Sequence, residues 1–450
     1  MVLTFSTLLA FAAVAQAWPT WPGWPSHGDT QNLKNRIKNV VILVMENRSL
    51  DNLLGGQRIR GLDNPVQRGP FCNPYNLTDP SAGRACSAAN SFDSVINDPD
   101  HAIHGNNIQF YGTFTPDNNA IASGRLVPTQ KGFMHEQIRL YSSKVNRTVL
   151  AEQVMNYYTE EEVPVLTSLV KNFVTFNNWH SAVPGPTNPN RLALVSGSSH
   201  GHGKNDAGFK AKGFNTSNIF QSLTERGHKW MNYYDTAGGT GPEAKWFQST
   251  YDAKLEGSIV SLPQFFVDAA AGNLTSLSFL NPSCCGVGTT SMHPAGLISA
   301  GETLIKQVYE SLRASPQWEN TLFILTFDET GGFHDHVPPP LAPRPDDLSY
   351  TAPTPDGKNY TFNFDRLGGR LPTLLISPWV EKGYVEQKRR NAAGNVVSYS
   401  ATSILRTLGR LFDFDPYNPR VAWSPSFEHL IRSQPRDTPK TLPAAKPFKV

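Results

Sequence analysis

No apolar run in this 450-residue chain is long enough to span a bilayer, which takes about 20 residues of helix. The longest, Val2 to Ala15, is followed by Ala15-Gln16-Ala17 and reads as a secretory signal peptide over residues 1–17, cut before Trp18, although it carries no Lys or Arg ahead of the apolar stretch. Excess charge is also missing. Forty Lys and Arg against 37 Asp and Glu leave a formal charge of +3, with no basic cluster, which excludes a nucleic-acid partner. Internal repeats and low-complexity segments are absent, so solenoid and fibrous architectures are excluded. Cysteine is sparse, at Cys72, Cys86, Cys284 and Cys285. An even count in a secreted chain suggests disulfides, and Cys72 with Cys86 is the expected pair, closing the turn-rich loop between them. Cys284 and Cys285 either bond to each other or reach elsewhere.

What is present centres on Asn39 to Gly55, NVVILVMENRSLDNLLG. Val40 to Val44 form a β-branched run of the length of a strand buried on both faces. Glu46, Asn47, Arg48 and Ser49 then arrive together at its carboxyl end, where open α/β sheets place their binding crevices. Ser49 fits the cap of a following helix. A second strand, Thr321 to Phe327, ends in the same abrupt way, in Asp328-Glu329-Thr330-Gly331-Gly332-Phe333-His334-Asp335-His336. If the two strands are parallel neighbours, both sets of oxygen ligands meet at one edge and can hold a hard cation. Taken alone, either stretch reads as a polar loop after a buried strand.

Between these runs lie further candidate elements. Val163 to Phe176 suits a short helix feeding a strand, Leu262 to Ala271 a helix, Leu274 to Leu280 a strand, Gly301 to Ala314 a helix, Leu371 to Trp379 a strand and Thr402 to Phe412 a helix. In Pro184-Gly185-Pro186-Thr187-Asn188-Pro189-Asn190-Arg191, Thr187 stands where a helix N-cap belongs. Such a hydroxyl is usually structural, yet the same end of a helix offers N–H groups to a phosphate. Asp98-Pro99-Asp100-His101 gathers acids and an imidazole in one loop, for which a hydrogen-bonded turn is the plain alternative. His200-Gly201-His202 is a weak metal signal in a glycine loop. Six Asn-x-Ser/Thr sequons begin at Asn47, Asn76, Asn146, Asn215, Asn273 and Asn359. All but Asn47, whose glycan would block the crevice, are expected surface glycan sites.

Read together, MENRS, PGPTNPNR and FDETGGFHDHVPPP resemble the phosphoesterase family of phospholipases C and acid phosphatases, within the alkaline phosphatase superfamily, over about Asn39 to Phe414. The likeness is strongest to its secreted fungal branch, where Asp98 to His101 and Ile376 to Trp379 also fit. It implies an α/β fold: an alkaline-phosphatase-like α/β/α sandwich with a mostly parallel sheet and long active-site loops. It implies Thr187 as nucleophile, with His101, His293 and His336 at the family's imidazole positions. Glu46, Asn47, Thr187, Asp328 and Glu329 would be the metal ligands, and Asn190 and Arg191 would bind substrate. An oxygen-dominated set favours Ca²⁺, Mg²⁺ or Mn²⁺, and Zn²⁺ enters if a histidine joins. Tyr399 to Ser403 lacks a histidine that many of these enzymes carry, which argues against a second metal, and His334 receives no catalytic role.

The expected organisation is therefore a leader at 1–17, an N-terminal arm at 18–38, one phosphoesterase domain at 39–432 and a surface tail at 433–450. The expected activity is metal-dependent hydrolysis of phosphate esters through a phospho-threonine, with phospholipid first and phosphate monoesters second. A phospholipid substrate entails transient contact with a membrane surface. A secreted binding protein that kept the fold and lost the chemistry is the rival reading.

Overall fold

The two acid-tipped runs are adjacent strands. In the computed structural model, which describes residues 27–236 and 241–449, Asn39–Met45 pairs in parallel with Thr321–Phe327 from Asn39↔Thr321 to Met45↔Phe327. The leader expected at 1–17 and the Trp18 to Pro25 stretch lie outside the described residues.

The central sheet comprises β1 (Asn39–Met45), β2 (Val174–Phe176), β3 (Trp230–Tyr234), β4 (Ile259–Ser261), β5 (Leu277–Asn281), β6 (Thr321–Phe327), β7 (Leu374–Ile376) and β8 (Tyr384–Glu386). Its order is β8-β2-β7-β6-β1-β5-β3-β4, and every neighbouring pair is parallel except the two that β7 makes. All residues of β1 and β6 are buried, so both sheet faces are covered, as unbroken β-branched and apolar runs require.

Eight helices matter to that covering and to the site: α1 (His27–Arg36), α2 (Leu50–Leu54), α3 (Ile103–Tyr111), α4 (Pro164–Asn172), α5 (Thr187–Ser196), α6 (Leu262–Ala271), α7 (Ile298–Ala314) and α8 (Ala401–Phe412). Helices α1, α5 and α8 pack as one set, and α4, α6 and α7 as another. In α8, Ile404, Leu405, Leu408, Leu411 and Phe412 make the buried stripe expected from their spacing. The result is the α/β/α arrangement implied by the motifs.

Where elements depart from the sequence reading, the cause is local. Pro372 and Pro378 lack the N–H a ladder needs, so the strand expected over Leu371 to Trp379 shrinks to β7 between them. Helix α1 forms inside the segment read as an arm and puts Leu33 into the core, followed by Ile37 just past its end. The C-terminal segment runs along α7, where Tyr309 donates to the Pro439 carbonyl at 2.5 Å and Leu442 is buried. Phe110, Phe133, Leu150 and Val154 build a smaller core of their own beside the Cys72–Pro74/Arg84–Cys86 hairpin. The Cys72–Cys86 disulfide is formed, and Cys284 bonds to Cys285.

Candidate active site

The β1–β6 ladder continues past its last strand residues. Asp328 N donates to Met45 O at 3.1 Å, and Arg48 N donates to Glu329 O at 3.1 Å. Glu46 and Asn47 therefore stand beside Asp328 and Glu329 at the carboxyl edge of the sheet. Asp328 Oδ1 accepts from the Asn47 and Glu329 amides, at 3.2 and 2.8 Å. Ser49 caps α2 by accepting from Asn52 N. The paired glycines allow the next layer to close in: both have positive φ, and a Cβ on Gly331 would lie 2.4 Å from Asn47 O, while one on Gly332 would lie 2.5 Å from Asp100 O. Side chains there would push the Asp98-to-His101 loop away from the strand ends.

Thr187 comes from the facing helix. It is the first residue of α5, with Pro186 in the cap position, so the expected capping role is corrected: Pro186 has no side-chain acceptor, and the threonine hydroxyl points instead to Glu46 Oε2 at 3.5 Å. The helix end also offers fewer amides than the sequence suggested. Asn188 N already donates to Asn205 Oδ1 at 2.8 Å, and Pro189 has no N–H.

Two residues expected to bind substrate are used elsewhere. Asn190 is a clamp: its Nδ2 donates to the carbonyls of Val183, Gly185 and Pro186 and its Oδ1 accepts from Val183 N, which fixes the loop that delivers Thr187. Arg191 is buried and forks among three carboxylates, Glu46 at 2.5 Å, Glu243 at 2.9 Å and Asp328 at 3.1 Å, with Val44 O as a fourth acceptor. Burial opposes its charge, but Glu46, Asp328 and Glu243 raise its pKa further. Both N–H groups of the Asn190 amide and four of the five N–H groups of Arg191 are thereby committed within the protein. Glu243, which sequence reasoning missed, is itself held by Asn281 at 2.9 and 2.8 Å.

The histidines divide into two groups. His101 Nε2 lies 4.0 Å from Glu329 Oε1, and its Nδ1 is bound to Pro99 O at 2.8 Å. His293 stands edge-on to it with ring centroids 6.1 Å apart, and Asp98 approaches both imidazoles, at 3.8 and 3.9 Å. These three carry donor atoms within 4.8 Å of one another. Arg48 anchors the His293 loop by donating to Met292 O from Nε and Nη2, at 3.0 and 2.8 Å. Burial disfavours charge on His101, yet the Glu329 and Asp98 carboxylates raise it to about 9, whereas burial lowers His293. Asp98 was legible only as part of an acid-rich loop.

His336 belongs to the other group. Its Nδ1 bonds to Asp51 at 2.7 Å, its Nε2 to Asp63 at 3.1 Å, and its ring stacks on Phe71 at 4.0 Å, while Arg370 bridges Asp51 and Asp335 beside it. Both ring nitrogens are engaged by carboxylates, which ties α2 to the loop after β6 and sets His336 in a group with Asp51 and Asp335, whose ligand atoms lie within 4.8 Å of one another, apart from the His101 and His293 group. His202 pairs with Asp206 at 2.9 Å, and among the described residues no carboxylate forms an ion pair with His200.

A divalent cation fits the donors at the strand ends. Asn47 Oδ1 and Nδ2 and Glu329 Oε1 are buried and make no hydrogen bond among the described residues, which is costly unless something else satisfies them. Asn47, Glu46, Asp328, Glu329 and Thr187 would supply oxygen, the chemistry of a hard ion. Each carboxylate bound by Arg191 keeps further lone pairs for a second partner. The side chains of Glu329 and Arg191 are about 1% exposed, against 17% for His101 and 34% for Asp98, so the site opens on its histidine side. Asn47 is fully buried and unsuited to glycosylation, while Asn146, Asn215, Asn273 and Asn359 are exposed and Asn76 is half-buried.

Residues 37–415 match the model of the Phosphoesterase family. The non-specific phospholipase C6 of Arabidopsis thaliana is 33% identical over 428 residues, covering 92% of this chain and 76% of that protein. The non-specific phospholipase C4 of the same plant is 34% identical, covering 90% of this chain and 74% of its own. Among solved structures, murine ectonucleotide pyrophosphatase / phosphodiesterase 5 aligns with a TM-score of 0.38 and 14% identity over 60% of this chain and 94% of that one.

Proposed function

The chain belongs to the Phosphoesterase family, and on that premise we propose that it is a secreted, metal-dependent phosphodiesterase of the phospholipase C type that works through a phospho-threonine. The observation that carries this reading is the juxtaposition of the Thr187 hydroxyl with Glu46, next to the buried, unsatisfied amide of Asn47 and oxygen of Glu329. When bound there, a divalent ion would lower the pKa of the hydroxyl and offset charge on the phosphoryl oxygens. The protein's own groups do the rest. Glu46, the nearest carboxylate, takes the hydroxyl proton as Thr187 Oγ1 bonds to phosphorus and the bond to the glycerol oxygen breaks. A histidine at the open side, His101 or His293, donates a proton to that departing oxygen. Water then attacks phosphorus and Thr187 leaves with its proton restored. The Asn47 amide and the positive end of α5 face the negative phosphoryl oxygens. Secretion is supported by the Val2 to Ala15 leader and the Cys72–Cys86 disulfide.

The purified protein should hydrolyse p-nitrophenylphosphorylcholine and phosphatidylcholine vesicles faster than p-nitrophenyl phosphate. Activity should vanish on dialysis against chelator and return with one of Ca²⁺, Mg²⁺, Mn²⁺ or Zn²⁺. Turnover of the monoester alone would make it an acid phosphatase, and no turnover of any of the three, with or without added ions, would leave the binding-protein reading. Full activity after metal removal would refute the metal dependence.

A further inference from the structure

A cavity of about 340 Å³ lies beside the histidine side of the site. Its volume is within the range of small-molecule pockets, which run from about 300 to 1,000 Å³. Its wall begins at Ala102 and Ile103, directly after His101, and continues through Gly203 and Lys204 to Tyr350 and Ala352 on the Tyr350–Pro353/Asn359–Phe362 hairpin.

Two contacts join this cavity to the Thr187 segment, and a third fixes its wall. Ile103 reaches from its wall to the Thr187 loop: a Cβ on Gly185 would lie 3.1 Å from the Ile103 side chain. Gly203 is pressed between the Tyr350 ring and Ile103, where a Cβ would lie 2.3 and 2.7 Å from them, so only glycine lets the loop lie along the wall. Asn205, two residues on, accepts the amide of Asn188, the neighbour of Thr187. The cavity is thus lined by the segment that follows His101, and that segment touches the loop that delivers Thr187.

Its chemistry is unlike that of the site. The strand ends present carboxylates, an amide and imidazoles, whereas Ile103, Tyr350, Ala352 and the body of Tyr360 give the cavity an apolar lining, to which Lys204 adds an ammonium and His104 an imidazole paired with Asp100 at 3.1 Å. Such a split suits a molecule with a charged phosphate at one end and hydrocarbon at the other. We propose that this cavity receives the acyl-bearing glycerol portion of a phospholipid, the leaving group of the reaction, so that the apolar part of the substrate lies next to His101. The assignment rests on the phospholipase C reading of the site and specifies which half of the substrate the protein grips outside it.

The test compares Ala352→Ser, Ala352→Leu and Ala352→Trp with the wild type. Ala352 is a half-buried hairpin residue that contributes only a methyl group to the wall, so the series fills the cavity stepwise without touching the site. The first measurement is equilibrium binding of monomeric 1,2-dioctanoylglycerol, which needs no catalysis. The wild type and Ala352→Ser should bind it alike, Ala352→Leu more weakly, and Ala352→Trp at least about tenfold more weakly, the loss expected from excluding one buried hydrocarbon segment. The second is kcat/KM for dioctanoylphosphatidylcholine relative to glycerophosphocholine, which share the reacting bond and differ only in acyl chains. That ratio should fall in the same order. No binding to the wild type, or binding and ratio unchanged across the series, overturns the assignment, and the graded Leu variant keeps the test valid if the Trp variant does not fold. Wild-type binding lost in the series alongside an absence of phosphodiesterase activity would retain the cavity and refute the catalytic reading instead.

Discussion

Thr187→Val is expected to fold and to lose at least about three orders of magnitude in turnover of p-nitrophenylphosphorylcholine, because it deletes the attacking oxygen and leaves only binding and electrostatic stabilisation in place. Valine keeps the branching and volume of threonine, and the Thr187 side chain donates only one long hydrogen bond, to Glu46 at 3.5 Å, so little of the fold depends on the hydroxyl. The first turn of α5 has its cap position in Pro186 and its loop held by Asn190, neither of which the substitution touches. Thr187→Ser keeps an oxygen at the same place and should keep measurable activity. Steady-state assays on protein with wild-type circular dichroism decide it, and retention of more than about a tenth of wild-type turnover by the valine variant would remove Thr187 from the nucleophile's role.

Arg191→Met should cost about 3–5 kcal/mol of stability, the range found when one partner of a buried ion pair is removed. Methionine replaces most of the apolar stem but leaves Glu46, Glu243 and Asp328 facing one another at the sheet edge without their shared cation. Arg191→Lys should fall between, since one ammonium cannot reach three carboxylates and the Val44 carbonyl as a planar fork does. Chemical denaturation in the presence of chelator, which prevents an added ion from substituting for the guanidinium, would show the loss as a lowered midpoint. An unchanged midpoint for Arg191→Met would mean that the three acids are not held together by this residue.

Both substitutions fall in the Pro184 to Arg191 motif and illustrate what sequence does and does not carry. Apolar runs with abrupt polar ends were enough to place β1 and β6, and the idea that they are parallel neighbours is met by the Met45↔Phe327 register. Helix α8, with its clear stripe, matches the sequence reading to within a residue, whereas α7 starts at Ile298, three residues ahead of the expected Gly301. Side-chain partners across the fold were not legible. Arg191 and Asn190 sit in a motif rich in polar residues, and nothing local says that one spends its charge on acids from three separate segments while the other spends its amide on its own loop. His336 looked equivalent to His101 in type, and only the positions of Asp51 and Asp63, far away in the chain, separate them. Glu243 lies in a stretch without periodicity, and β3, whose Trp, Met, Asn and Tyr residues show no simple alternation, was missed for the same reason.

The central claim is that Thr187 forms the bond to phosphorus. Rapid mixing with p-nitrophenylphosphorylcholine, quenching in acid within the first turnover and tryptic mass spectrometry test it directly. The peptide spanning residues 172–191 should gain the mass of one phosphocholine group, fragmentation should place it on Thr187 and not on Thr175, and the gain should match the first equivalent of nitrophenolate released. Release of that equivalent with the peptide unmodified, or with the mass on any other side chain, would contradict the mechanism.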